Sequence, residues 1–234
     1  MSRRAWGHFF IVGLLWGIPY LFMKVAVRDL PPAAIVCGRT LIGASMLIPF
    51  AIYQKTFRAA LRGYKDVAIY AAMEMMVPWL LITTSEKKIS SGLAGLLVAT
   101  VPIWATIFSA MRGDKTVLHS KRIFGIFIGF LGMVALIGID AIKSELHIPS
   151  VMMVVAASIL YAAAVIRVTE KLPGVNGVAI NGLAMAITSV VYAPIAFFTW
   201  PDTPIGKDSV LSLIALGIFS TGFAFVYFFK LLNE

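Results

Sequence analysis

The sequence predicts an all-α membrane protein that crosses the bilayer several times. Hydrophobic residues make up 60% of the 234 residues, whereas charged residues make up 13%. The mean hydropathy is +0.91. A soluble domain of this length needs far more polar surface. The apolar residues also fall into separate stretches of about 20, the length that a helix needs to cross the hydrocarbon core.

Eight of these stretches are candidates for spanning helices, and short connectors with glycine, proline or charged residues separate them. In chain order we expect the helices at residues 6–27, 33–53, 67–86, 90–111, 122–141, 148–167, 176–199 and 209–230. The first follows Arg3 and Arg4, as the apolar part of a signal peptide would. It contains Trp16 and Pro19 and lacks a small-residue cleavage site, which favours a spanning helix.

Matching residues recur along the chain at a nearly constant distance. Lys24 and Arg167 end the first and sixth helices and Lys87 and Lys230 end the third and eighth, 143 residues apart in each case. Pro49 and Pro194 lie late in the second and seventh helices, 145 apart, and Leu30-Pro31 recurs as Leu172-Pro173, 142 apart. These offsets agree within three residues, which predicts an internal repeat of five helices. Because five is odd, the second copy would cross the bilayer upside down, as in many secondary transporters. We predict one repeat over residues 1–142 and a second with three helices over 143–234, eight of an expected ten.

The distribution of lysine and arginine predicts a cytoplasmic N-terminus. With that orientation, 13 basic residues fall in cytoplasmic segments and 6 in outer segments, and a cytoplasmic excess is the rule for membrane proteins. The net charge of +9 then reflects topology and contact with anionic lipid headgroups. We therefore expect a multi-pass protein of the cell (inner or plasma) membrane with a lipid bilayer, and no nucleic acid, as its partner.

Several short motifs follow one another along the chain. They are Leu14-Leu15-Trp16-Gly17 with Lys24, Leu30-Pro31-Pro32 with Arg39, Ser91-Gly92-Leu93-Ala94, Ala99-Thr100-Val101-Pro102, Arg112-Gly113-Asp114-Lys115, and Ser220-Thr221-Gly222 to Phe229-Lys230. In order and spacing they resemble the EamA-type transporters of the drug/metabolite transporter superfamily, which more often have Glu where Asp114 stands. The resemblance implies ten helices in two inverted repeats, so that two helices are missing at the C-terminus. It also implies transport of small metabolites, amino acids or drugs, often outward.

Glu74 is the main functional candidate. It is the only charged residue between Asp66 and Glu86, about 12 Å into the bilayer at about 1.5 Å per residue. A charge at such depth costs at least about 2.5 kcal/mol, so it should face a cavity or a partner. Two interpretations stay open. The carboxylate either couples transport to protons or binds substrate, or it is structural and is paired with Arg39 or protonated.

Two basic residues near the predicted outer surface are further candidates. Arg39 lies about six residues into the second helix. Its side chain either binds an anionic group of the substrate or extends outward to the headgroups. Lys24 lies nearer the surface. Its side chain either binds substrate or, as is ordinary for a lysine at this depth, extends to the membrane surface.

The first helix combines features of a kinked, cavity-lining element. Gly17, Tyr20 and Lys24 share one face, and Trp16 lies beside it. Pro19 removes a backbone hydrogen bond. Ordinary helix packing is the alternative for this face.

Two other helices carry weaker signals. Trp79 and several methionines surround Glu74, which suits either an adaptable pocket or lipid contact. Gly125 and Gly129 form a small-xxx-small pair in the fifth helix, which predicts close packing against another helix.

Together these features favour a secondary transporter that binds a small molecule near the midplane and works by alternating access. Export is the expected direction, and coupling to protons is an open possibility. The sequence lacks a P-loop and paired catalytic groups in the spans, so we expect no enzyme activity and no cofactor. The histidines lack partners at metal-ligand spacing, so we expect no metal site. A channel, a non-transporting scaffold protein and a homo-oligomer remain open alternatives.

Overall fold

The computed structural model describes residues 3–138 and 146–232, and within these ranges all regular structure is helical. The predicted all-α class is confirmed. The boundary predicted between the two repeats, at residues 142 and 143, lies outside the described residues.

Eight helical rods, α1 to α8, follow one another in chain order. Their bounds are Arg3–Gly17 with Pro19–Ala26 (α1), Pro32–Tyr53 (α2), Tyr64–Ala71 through Ala72–Met76 to Val77–Ser85 (α3), Ser91–Val98 with Val101–Met111 (α4), Ser120–Ile137 (α5), Ile148–Lys171 (α6), Gly177–Phe198 (α7), and Lys207–Gly217 through Ile218–Phe223 to Ala224–Leu232 (α8). Short helices at Phe57–Arg62 and Lys115–Leu118 lie in connectors.

Seven of the described helices are long and apolar enough to cross a membrane. The protein is therefore a multi-pass membrane protein, although the predicted count of eight is one too high for the described residues. The exception is α5, which has 18 residues. At 1.5 Å per residue it measures about 27 Å, slightly less than a hydrocarbon core of about 30 Å. The end predicted for this helix, residue 141, lies outside the described part.

Four of the rods are interrupted near their middle. The break in α1 falls at Ile18, and α4 turns at residues 99–100; each is followed closely by a proline that cannot donate a backbone hydrogen bond. In α3 and α8 the interruption is a π-helical segment, Ala72–Met76 and Ile218–Phe223 respectively. Such segments shift the side chains around them and are frequent at functional sites. The break in α1 thus lies directly before Pro19, the residue at which the sequence suggested a kink.

Helices α2 and α7 cross closely at the centre of the bundle. A Cβ atom built on Gly182 of α7 would lie 3.3 Å from the Leu47 Cβ atom and 3.4 Å from the backbone nitrogen of Ile48, both in α2. One built on Gly217 of α8 would lie 2.6 Å from the Ile42 Cβ atom of α2. Small residues at these crossings let the helix backbones approach, which is how helices associate in lipid.

The close packing predicted for Gly125 and Gly129 is not found within the described chain. A Cβ atom at either position would have nothing within 4 Å. Both glycines are exposed because this face of α5 points away from the other described helices. The spacing of small residues therefore identified a smooth helix face, but it did not identify a neighbour.

Candidate functional site: a cavity between the helices

A cavity of about 1600 Å³ lies among the helices and is lined by residues of all eight. At one end of the bundle, the lining includes Thr56 and residues 173–176 of two connectors. We call this the Asn176 end. At the opposite end, the Lys24 end, the chain passes from α1 to α2, from α3 to α4 and from α7 to α8. None of the described residues in those three connectors lines the cavity. Among the connectors that the structure describes, the cavity therefore reaches those at the Asn176 end.

Glu74 lies in the π-helical segment of α3 and lines the cavity. Its Oε2 atom is buried and has no hydrogen-bond partner among the described residues. Tyr70 and Tyr161 lie within electrostatic reach of its carboxyl group. The neighbouring Met76 carbonyl, whose regular helical bonding the π segment disturbs, accepts a hydrogen bond from the Tyr192 hydroxyl at 2.9 Å. The Glu74 carboxyl group is therefore presented to the cavity with capacity to bind a proton or a donor.

Arg39 is 5% exposed and also lines the cavity. Its guanidinium carbon lies 3.6 Å from the centre of the Trp79 ring, a cation–π geometry. Its Nη2 atom donates to the Thr221 hydroxyl at 3.2 Å, while its Nε atom has no hydrogen-bond partner within the described part of the chain. The outward extension considered for Arg39 is wrong, because its side chain turns inward onto α3 and α8. Among the described residues, no ion pair joins Arg39 to Glu74, so the predicted pairing is also not found.

The first helix supplies four of the predicted residues. Trp16, Gly17, Pro19 and Tyr20 all line the cavity, on either side of the break at Ile18. The Trp16 ring lies 4.8 Å from the ring of Phe228 in α8, measured between centroids. An aromatic wall of this kind offers apolar contact to a ligand.

Lys24 is not part of the cavity lining. Its Nζ atom donates to the main-chain carbonyl of Glu86 at 2.5 Å and to that of Ile89 at 2.8 Å. Both carbonyls lie just beyond the C-terminus of α3, where backbone oxygens lack helical partners and a cation is favoured. The substrate role considered for Lys24 therefore gives way to a structural contact between α1 and α3.

Several lining residues were not anticipated from the sequence. The Tyr70 hydroxyl lies 3.2 Å from the Asn181 side-chain oxygen, and the Asn181 amide donates to the Gly177 carbonyl at 2.9 Å. Tyr161 of α6 lies near Glu74, Tyr20 and Arg39. A polar amide within an apolar stretch is costly unless it is hydrogen-bonded. Asn181 could therefore have been found by considering every polar residue in the spans, and not charged residues alone.

Comparison with known proteins identifies the family. A sequence model of the EamA-like transporter family matches residues 5–138, more than half of the chain. The chain belongs to the EamA-like transporter family. This membership confirms the resemblance drawn from the sequence motifs.

Relatives of this EamA-like chain are also named as transporters. The "Uncharacterized transporter YoaV" of Bacillus subtilis is 23% identical over 227 residues, which is 95% of this chain and 77% of the relative. An "Uncharacterized transporter" of Archaeoglobus fulgidus is 28% identical over 228 residues, which is 94% of this chain and 77% of that relative. A solved crystal structure of a protein has 19% identity and a TM-score of 0.74 over 99% of this chain and 79% of that one, which shows a shared fold. The EamA-like chain is therefore a membrane transporter by family.

The side chains of the cavity lining determine what kind of ligand this EamA-like cavity suits. Across the described ranges, no group of three or more histidine, cysteine, aspartate or glutamate side chains is arranged to hold a metal ion. The polar groups in the lining are instead an unpaired carboxylate oxygen, a guanidinium and phenol hydroxyls, which suit binding of a polar organic molecule and transfer of protons.

Proposed function

We propose that this protein is a secondary transporter that moves small metabolites, amino acids or drugs by alternating access. The observation that carries the proposal is the cavity, which holds an unpaired carboxylate oxygen and a buried guanidinium between its walls. Its volume of about 1600 Å³ is larger than a typical pocket for one drug-sized ligand, about 300–1,000 Å³. Room for varied substrates suits a transporter of broad specificity.

The unsatisfied polar atoms support binding of a polar ligand. Glu74 Oε2 and Arg39 Nε are both buried, and residues 3–138 and 146–232 offer neither atom a hydrogen-bond partner. Buried polar atoms in this condition are rare in native structures, and each one needs an explanation. A ligand with a donor for the carboxylate or an acceptor for the guanidinium would remove the cost. A channel is less well supported, because no described connector residue at the Lys24 end lines the cavity.

Export is the direction that we propose. With the N-terminus in the cytoplasm, the Asn176 end of the cavity faces the cytoplasm, because α1 begins at that end. A substrate would then enter from the cytoplasm and leave after the Lys24 end opens. Glu74 is the proposed coupling residue, since its carboxyl group can take up a proton on one side of the cycle and release it on the other.

The test uses the protein reconstituted into liposomes under an imposed pH gradient. Substrates are first selected by the thermal stabilisation that they confer, from a panel of amino acids and lipophilic cations. We expect the pH gradient to drive movement of a selected compound. Glu74→Gln should preserve thermal stabilisation by that compound but remove the dependence on the gradient. Glu170→Gln is the matched control, because Glu170 lies outside the cavity and contacts Arg112 at 3.3 Å.

Each part of the proposal has an outcome that would overturn it. A Glu74→Gln protein with unchanged pH dependence would end the assignment of Glu74 as the coupling residue. Absence of both stabilisation and movement across the whole panel would contradict the proposed substrate classes.

A further inference from the structure

The Lys24 end of the cavity is closed by a buried apolar cluster. Met23, Ile82, Ile89 and Leu93 are each 1–3% exposed and belong to one packed group. Met23 and Ile82 also line the cavity, so the cluster forms the wall between the cavity and the connectors at this end. If access alternates, this wall must separate.

Polar contacts hold α1 to the connector between α3 and α4. Lys24 donates to the carbonyls of Glu86 and Ile89, as described above. The Ser91 hydroxyl, at the start of α4, lies 3.0 Å from the Tyr20 carbonyl and 3.1 Å from the Glu86 Oε2 atom. Glu86 is fully buried, and its Oε1 atom has no hydrogen-bond partner among the residues that the structure describes. Three elements therefore meet at one set of hydrogen bonds.

Hydrogen bonds of this kind can be exchanged for bonds to water. Their net contribution is about 0.5–1.5 kcal/mol each, or about 1.5–3 kcal/mol where one partner is charged. The contact where α2 and α7 cross cannot be exchanged for water in this way, because the backbone of α2 packs directly against Gly182 there. The Lys24 end is thus a place where the bundle can separate without breaking the crossing of α2 and α7.

The helix interruptions allow such a movement. The segment Pro19–Ala26 carries Lys24 and is joined to the rest of α1 at the break at Ile18. It is tied to Lys207–Gly217 of α8, because the Ser209 hydroxyl lies 3.2 Å from the Val25 carbonyl. That part of α8 ends at the π-helical segment Ile218–Phe223. Pro19–Ala26 and Lys207–Gly217 therefore form a pair of half-helices. Each is separated from the rest of its rod by an interruption at its cavity-facing end.

We propose that Lys24, Glu86 and Ser91 form the gate at the Lys24 end, and that the paired half-helices of α1 and α8 move away from α3 and α4 to open it. This inference rests on the proposed alternating access, because a gate needs a pathway. It adds the residues that close the pathway and the segments that move. Opening requires Lys24 to leave both carbonyls and Ser91 to leave the Tyr20 carbonyl.

The test measures access to the cavity by cysteine labelling. The single native cysteine is replaced by Cys37→Ala, and Gly95→Cys supplies a reporter that lines the cavity one turn beyond Ser91. A Cβ atom at Gly95 meets only the Tyr20 ring, at 3.8 Å, so the reporter fits. Reporters at exposed positions of each end, Lys88→Cys and Arg62→Cys, show which face a membrane-impermeant maleimide reaches. The maleimide is then applied only to the Lys24 face.

We expect Lys24→Met to raise the labelling rate of the Gly95→Cys reporter at least about tenfold, because two charged hydrogen bonds are lost. Lys87→Met, at an exposed lysine of the same connector, should leave the rate unchanged. Ser91→Ala is a milder variant that removes the contact with the Tyr20 carbonyl, and it should raise the rate if Lys24→Met does not fold.

Unchanged labelling in a folded Lys24→Met or Ser91→Ala protein would overturn the gate. Labelling does not depend on transport, so the two proposals can fail separately. Faster labelling without transport of any compound would keep the gate and reject the transporter. Normal transport with unchanged labelling would keep the transporter and reject the gate.

Discussion

At the scale of single residues, the polar groups of this protein divide by position into two sets. Glu74 and Arg39 face the cavity in the middle of the bundle, and each keeps an unpaired buried atom. Lys24 and Glu86 lie at the closed end, where the Lys24 Nζ atom donates to the Glu86 carbonyl and the Glu86 Oε2 atom lies 3.1 Å from the Ser91 hydroxyl. The first set suits ligand binding, and the second set suits closure.

Glu86 provides a prediction about pH. It is the first residue after the span Tyr64–Ser85, and burial raises its pKa from 4.5 to about 7, against the opposing effects of the Ser91 hydrogen bond and the Lys24 charge. The folded protein therefore holds this proton more tightly than the unfolded chain. Its contribution to stability is complete below about pH 4.5 and is lost as the pH rises through about 7.

As the pH is raised from 5 to 8, the parent protein should lose stability that Glu86→Gln retains. We therefore expect the free energy of unfolding of Glu86→Gln, relative to that of the parent, to rise by up to about 3 kcal/mol over this range. Thermal unfolding in detergent at both pH values measures the change. Glu170→Gln, at the exposed end of α6, should show the same change in stability between the two pH values as the parent protein. Parallel profiles for Glu86→Gln and the parent would contradict the assigned protonation.

At the scale of elements, interruptions and caps position the site. The π-helical segment of α3 contains Glu74, and that of α8 contains Thr221, which accepts a hydrogen bond from Arg39. The connector after α1 also caps α8: the Asp29 Oδ2 atom accepts hydrogen bonds from the Gly206 backbone nitrogen at 3.0 Å and from the Ser209 hydroxyl at 2.7 Å. A residue distant in sequence thus satisfies an N-terminus that has no side-chain cap of its own.

Asp29→Ala should destabilise the protein by about 1 kcal/mol, the usual cost of losing a cap. Asp202→Ala is the control, because Asp202 is exposed in the connector that precedes α8. Thermal unfolding of the two variants in the same detergent gives the comparison. Equal losses in both would show that the contact with α8 has no particular role.

At the scale of the whole molecule, the crossing of α2 and α7 holds the bundle together. Gly182→Leu should prevent correct folding, because its side chain would have to displace backbone and Cβ atoms of α2. Gly125→Leu adds the same side chain where nothing lies within 4 Å and should be tolerated. The fraction of protein that elutes as a single species after extraction in detergent measures both. A tolerated Gly182→Leu would contradict the central role of this crossing.

Much of the fold followed from the sequence alone. Spanning helices are recognised by length and composition, because a helix in lipid must be apolar over about 20 residues whatever its neighbours are. Family membership followed from the order and spacing of motifs. The inverted repeat and the orientation remain predictions.

Tertiary structure alone decided which polar residues meet. The sequence placed Glu74, Arg39 and Lys24 at approximate depths, but their partners depend on the rotation of each helix and on where its hydrogen bonding is interrupted. Arg39 turned inward onto Trp79, and Lys24 reached the end of α3. Depth in the bilayer is a property of one helix, whereas contact is a property of two, and only the packed bundle determines it.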